Sequence, residues 1–159
     1  MTKNQKGFTL IEAMIAIGLI VTGLTGVLVL INRAIGFNSL AFNRLVASSL
    51  AQEGVEVVRN IRDTNWLNQR PWDNGLPEGT YQVQYNSKQL SLYTDQPLLF
   101  DENTGFFNYE SGSSTPYKRK IELKRISADE IRVLVTVSWI GRGGGDFNLV
   151  VEDHLFNWF

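Results

Sequence analysis

The chain has 159 residues, 43% hydrophobic and 19% charged, so it is neither a disordered chain nor an acidic or basic tail protein. Lys and Arg number 15 against 16 Asp and Glu, a net charge of −1 that offers no basic face for nucleic acid. With no cysteine and one histidine, disulfides, thiolate metal sites, cysteine nucleophiles and multi-histidine metal sites drop out.

The chain opens with a short polar stretch, Met1 to Gly7, which carries Lys3 and Lys6 and no acid. From Phe8 to Ile31 the only charged residue is Glu12. A helix of about 20 apolar residues crosses the hydrocarbon core of a bilayer, and MIAIGLIVTGLTGVLVLI is long enough to do so. A removable secretory signal fits less well. The apolar run is longer than such a signal needs, it ends Leu30-Ile31-Asn32-Arg33 without a small-x-small cleavage site, and helical patterning continues through its end. A membrane anchor is the expectation. Lys3 and Lys6 place its N-terminus in the cytoplasm, against the weaker opposing pull of Arg33 and Arg44.

Helix is expected to continue past the span. No proline occurs between Arg33 and Asp63, and apolar residues recur at helical spacing through Phe42, Leu45, Val46, Leu50, Gly54, Val57, Val58 and Ile61. Glu56 and Arg59 stand three apart, a spacing that supports a helix. Thr64 and Asn65, followed by Pro71 and Asn74-Gly75, predict its end near Arg62. Ala47, Ala51 and Gly54 share one face and read as ordinary packing residues. Gly18, Thr22 and Gly26 are four apart, a small-xxx-small pattern in a stretch softened by several glycines.

The remainder reads as β structure. Thr80–Ser87 alternates, with Tyr81, Val83 and Tyr85 on one face, and Gln89–Thr94 alternates again. Pro97–Tyr109 is irregular, with a short strand at Gly105–Tyr109, and Ser111–Pro116 is a loop. Three stronger strands follow at Tyr117–Ile126, Ile131–Ile140 and Asp146–Phe156, joined by short connections that predict an antiparallel meander. Its apolar face needs a cover, and the amphipathic half of the helix supplies one. The predicted fold is α+β, a long N-terminal helix packed on a C-terminal antiparallel sheet.

The segment Lys6-Gly7-Phe8-Thr9-Leu10-Ile11-Glu12 combines a basic leader ending in glycine, a phenylalanine, and a lone glutamate inside an apolar helix. It closely resembles the N-terminus of class III signal proteins, the type IV pilins and pseudopilins. The resemblance implies a pilin-like fold. It implies cleavage between Gly7 and Phe8 by a prepilin peptidase, N-methylation of Phe8, and a subunit-docking role for Glu12. Residues 1–62 are further similar to V-type minor pilins and I-type pseudopilins, through Ala47, Leu50-Ala51-Gln52-Glu53, Glu56 and Arg59-Asn60. Two departures from major pilins, no helix-kinking proline and no C-terminal disulfide loop, point to a minor subunit.

Glu12 can be read without the family. An acid well inside a spanning helix costs about 2.5–3.5 kcal/mol and needs a partner. Cleavage before Phe8 would create an amine whose reference pKa is about 7.7–8.0. Residues 8 and 12 share a helix face, so that amine could neutralise Glu12 within the chain or, in an assembly, from a neighbour. The alternative is a Glu12 solvated at the cytoplasmic interface.

Other constellations are weak. Gly141–Asp146 leads into a strand, so it reads as a hairpin turn and not a phosphate loop. Asp101–Gly105 offers oxygen ligands for calcium but lacks the full alternating loop, and reads as a polar turn. His154 reads as structural, Trp139 as core, and Trp158 with Phe159 as either a terminal anchor or a subunit contact.

The expected organisation is a leader at 1–7, a transmembrane or filament-core half-helix at 8–32, an amphipathic half-helix at 33–63, and a β domain at 64–159. The expected function is a minor structural subunit of a type IV pilus or pseudopilus, not an enzyme, with no catalytic residue, metal or cofactor. The resemblance implies as partners other pilin or pseudopilin subunits, the prepilin peptidase/N-methyltransferase, an inner-membrane assembly platform, and membrane lipid before assembly. It places the chain in the bacterial inner membrane, then in a cell-surface or periplasmic filament. The competing reading is an uncleaved signal-anchored protein with an extracytoplasmic β binding domain or enzyme.

Overall fold

The computed structural model describes residues 7–141 and 144–158. Among the described residues a single helix, α1 (Leu10–Leu67), is followed by eight strands. Contacts divide the chain into two compact units, one up to Leu40 and one from Ala41 onward, with α1 contributing to both.

In the first unit every described residue from Gly7 to Asn38 is exposed. No periodic polar face forms, because the sequence supplies none. The threonines in this stretch return their hydroxyls to the helix itself. Thr22 Oγ1 donates to the carbonyls of Gly18 (2.9 Å) and Leu19 (3.0 Å), and Thr25 Oγ1 to that of Thr22 (2.9 Å). A Cβ added at Gly18, Gly23 or Gly26 would meet nothing within 4 Å.

The second unit is built on a five-stranded antiparallel sheet. In chain order its strands are β1 (Gly79–Gln82), β2 (Ser91–Leu92), β6 (Tyr117–Ser127), β7 (Glu130–Ile140) and β8 (Asp146–Phe156), and in space they run β2-β1-β6-β7-β8. The expected meander is β6-β7-β8, whose pairs β6/β7 and β7/β8 are both antiparallel. A register shift in β6 between Arg125 and Ser127 is the one irregularity in its pairing with β7. In β7, Ile131, Val133, Val135, Val137 and Trp139 all point inward and are buried. From α1 the buried residues Ala47, Leu50, Ala51, Gly54, Val58 and Ile61 join the same core, at the three- and four-residue spacing of one helix face.

At Gly54 α1 lies close against the sheet. A Cβ there would lie 3.1 Å from Val135 Cγ1 and 3.2 Å from Arg119 Cδ. Arg119, on β6, has no exposed surface. Its Nη1 donates to the Leu50 carbonyl and to Glu53 Oε1, both at 2.8 Å, and its Nη2 to the Val83 carbonyl. One guanidinium therefore joins α1, β6 and the loop after β1. Tyr117 Oη donates to Asn43 Oδ1 at 2.8 Å, and Arg59 pairs with Asp153 of β8 at 2.9 Å.

Several sequence expectations shift. The helix begins at Leu10, not Phe8, because Thr9 caps it. It runs past Thr64 and Asn65 to Leu67, because those side chains bond locally without breaking the helix. Asn65 Nδ2 donates to the carbonyls of Trp72 (3.0 Å) and Asn74 (2.8 Å). The end is a Schellman motif, with Arg70 N donating to the Asn65 carbonyl and Gln69 N to the Trp66 carbonyl, each at 2.9 Å. Gln69 takes the left-handed conformation (φ 55°) that glycine usually supplies. The first predicted strand stops at Gln82, so Tyr85 leaves the face shared by Tyr81 and Val83 and is exposed. The second contracts to Ser91–Leu92. The irregular region instead holds a second, three-stranded sheet of β3 (Leu99–Asp101), β4 (Phe106–Asn108) and β5 (Ser113–Ser114), in the order β4-β3-β5. Of these, β4 is the short strand expected at Gly105–Tyr109; β3 and β5 are too short to show periodicity, and β5 lies in the stretch read as loop.

Replacing Gln69 by glycine should relieve the left-handed backbone and stabilise the domain by about 0.5–1 kcal/mol. Urea unfolding of the detergent-solubilised chain, followed by tryptophan fluorescence, measures it. No gain in the midpoint would mean that Gln69 carries no backbone strain.

Candidate processing and docking site

The N-terminal turn of α1 is assembled from adjacent residues. Thr9 stands at the N-cap, and its Oγ1 accepts the backbone N–H of Glu12 at 3.3 Å. The Thr9 carbonyl accepts Ala13 N–H at 3.2 Å, the first turn of the helix. Thr-x-x-Glu is the sequence of a capping box. Glu12 is the acid of the first turn, where the helix dipole favours negative charge.

Gly7 and Phe8 precede the cap in non-helical backbone, and Phe8 is 86% exposed. The expected sharing of one helix face by residues 8 and 12 is therefore not seen in the unprocessed chain. Thr9 needs a non-helical backbone to cap, and that displaces Phe8 from the helix. Lys3 and Lys6 of the basic leader lie outside the described residues. Beyond Glu12, α1 is long and apolar enough to cross a membrane.

The candidates in the β domain bond to neighbouring side chains and backbone. The Asp101 carboxylate is engaged by its own turn, accepting Asn103 N–H at 2.9 Å, which holds its pKa below the usual carboxylate range. Ser111 Oγ donates to its other oxygen at 3.4 Å. Gly141 and Gly145 close the β7–β8 hairpin, Gly141 N donating to the Gly145 carbonyl at 2.8 Å; Arg142 and Gly143 lie outside the described residues. Trp139 is core, and Trp158 packs on the end of α1. The Arg62 guanidinium lies 4.6 Å from the Trp66 ring and 5.0 Å from the Trp158 ring. Phe159 lies outside the described residues. Sequence reasoning missed Arg119. Its signal was parity: in β6 it is in phase with Tyr117, Ile121 and Leu123, the inward residues, and alternates with the outward Lys118 and Lys120.

His154 lies on β8 between two carboxylates, with Nε2 3.1 Å from Glu152 and Nδ1 2.6 Å from Glu130. Hydrogen bonds to Glu152 and then Glu130 raise its pKa above 6.5. A raised pKa in the folded state adds stability below the unfolded value of about 6.5, and that stability is lost as pH rises through the folded value. His154→Gln should therefore lower the urea midpoint relative to wild type most at acidic pH, with the gap closing above neutrality. A gap independent of pH would show that the imidazolium does not pair with these carboxylates.

Residues 2–28 match the family model of the prokaryotic N-terminal methylation motif. No curated protein and no solved structure matches the chain. The matched segment covers the leader, the Gly7-Phe8 junction, the Thr9 cap, Glu12 and most of the uncovered apolar helix, and behind it stands the α+β arrangement of one long helix on antiparallel sheets. The chain thus carries the N-terminal methylation motif of a class III prepilin N-terminus, ahead of an α+β arrangement of the kind a pilin-like fold has.

Proposed function

We propose that the protein is a minor structural subunit of a type IV pilus or related pseudopilus, without enzymatic activity. In this reading a prepilin peptidase cuts between Gly7 and Phe8, and the new Phe8 amine is methylated. The observation that carries the reading is an apolar half-helix left wholly uncovered by its own chain, bearing one acid, within a methylation motif. Lipid covers that surface first, and the helices of neighbouring pilin subunits cover it after extraction by an inner-membrane assembly platform. The span holds the chain in the inner membrane with its N-terminus in the cytoplasm, and the β domain is displayed on the filament.

Glu12 has a specific role here. A carboxylate in the low-dielectric core of an assembly needs a cation. In the unprocessed chain Phe8 lies outside the helix, so the proposed cation is the Phe8 amine of a neighbouring subunit. The competing reading, an uncleaved signal-anchored β domain, predicts neither cleavage nor a partner for Glu12.

Two measurements test the proposal. Mass spectrometry of the N-terminus, in cells with an intact peptidase, should find a chain starting at methylated Phe8; a chain retaining Met1 or Lys3 would favour the signal anchor. Glu12→Ala should leave membrane abundance intact, since losing the carboxylate favours insertion by roughly 2–3 kcal/mol. The same change should lower the ratio of protein in sheared filaments to protein in membranes. An unchanged ratio would remove Glu12 from docking.

A further inference from the structure

The five-stranded sheet ends on one long open edge. β8 pairs with β7 on one side, and its other side faces no strand among the described residues. The ladder fixes which backbone groups lie there. Gly141 N donates to the Gly145 carbonyl and Asn157 N to the Asp129 carbonyl, and these pairs continue the β7/β8 register at its two ends. Hydrogen-bonded and non-hydrogen-bonded pairs alternate along an antiparallel ladder, and no shift interrupts this one. The odd-numbered residues of β8 therefore bond β7. The N–H and C=O groups of Asp146, Asn148, Val150, Glu152, His154 and Phe156 point the other way, and no hydrogen bond from another described residue reaches them.

Such an edge is usually blunted by shortness, lysine, proline or a bulge. β8 has none of these, running over Asp146–Phe156 without lysine, proline or register shift. The strip beside the edge is also incompletely covered. On β7 the inward Val133, Val135 and Val137 have no exposed surface, whereas Phe147, Leu149 and Val151 of β8 are only partly buried against the core. Unpaired donors and acceptors beside half-covered apolar side chains are what a further strand satisfies, through its backbone and through cross-strand packing.

Direction, length and charge select that strand. A second copy would bring its own β8, but antiparallel pairing of two identical edges relates the chains by a two-fold axis perpendicular to the sheet. That axis reverses α1, which one membrane holds in one sense. The opposite edge of a second copy, β2, offers two residues to the eleven of β8. The occupant is thus a strand of a different chain. β8 carries Asp146, Glu152 and Asp153 and no lysine or arginine. Arg59 pairs with Asp153 and His154 contacts Glu152, which leaves Asp146 without a partner among the described residues. Cationic side chains suit the outward positions of the added strand, and apolar ones the inward positions.

We propose that β8 is a strand-addition site that takes up an extended segment of a different protein chain, antiparallel, with lysine or arginine on its outward side and apolar side chains beside Phe147, Leu149 and Val151. The proposal goes beyond the filament reading; only the exclusion of a second copy rests on the membrane anchor. The probe is a synthetic peptide as long as β8 that alternates valine with lysine and threonine, titrated into full-length protein in detergent. Sedimentation should show one peptide per chain, and binding should weaken with salt. In amide hydrogen exchange read by NMR, Asn148, Val150, Glu152 and His154 should gain at least about tenfold protection, while Leu149, Val151 and Asp153 are protected with and without peptide. Val150→Pro removes an outward N–H and no bond to β7, so circular dichroism should be unchanged while binding falls at least about tenfold. Asp146→Lys with Glu152→Lys leaves the backbone intact; it should weaken this peptide and favour its glutamate counterpart. The same peptide N-methylated throughout should not bind. Absent binding, protection confined to other residues, equal binding of the N-methylated peptide, or indifference to these substitutions would each overturn the proposal. Self-pairing through β8 that outcompetes the peptide would overturn the choice of a different chain.

Discussion

The β domain depends on one buried cation. Arg119 is enclosed between α1 and the sheet, and a guanidinium cut off from water must find acceptors within reach or destabilise the fold. It finds them on both sides, at Leu50 and Glu53 of the helix and at Val83 after β1. These bonds hold the helix within a few ångströms of the sheet, and the missing side chain at Gly54 lets it come that close. A buried pair of this kind adds little net stability over an apolar replacement of equal volume, but removing one partner is costly. Its stronger effect is on register. A helix turned or slid by one residue would leave Arg119 without the Leu50 carbonyl and Glu53 together.

Legibility in the sequence followed physical scale. The long helix, the β6-β7-β8 meander and the face of α1 that covers it were readable, because each repeats a period over ten or more residues. Of the short second sheet, β4 was expected within Gly105–Tyr109, whereas β3 and β5 were not, because strands of two or three residues carry no period. The end of α1 was misplaced for a different reason. Asn65 looked like a stop signal but is buried and bonded to the loop beyond, and the position that usually shows glycine holds Gln69. At the N-terminus the Lys6-to-Glu12 string was readable as a motif, yet Thr9 as cap was not anticipated, so Phe8 fell outside the helix. Arg119 was written in the strand's alternation and was overlooked because a cation on an apolar face contradicts the pattern it belongs to.

The two halves of α1 solve different solvation problems with one backbone. From Ala47 onward the helix is amphipathic, and its buried stripe gives way to charges such as Glu56. Before Asn38 there is no stripe, and the Thr22 and Thr25 hydroxyls are returned to the backbone. That lowers the cost of placing them in hydrocarbon, where water is not available to satisfy them.

The Thr9 cap insulates the helix from whatever lies upstream. Its hydroxyl and carbonyl satisfy the backbone N–H groups of Glu12 and Ala13. The first turn is therefore written in residues that remain on the C-terminal side of the Gly7-Phe8 bond. The distance of Glu12 from the helix origin at Leu10 is thus set by residues downstream of that bond.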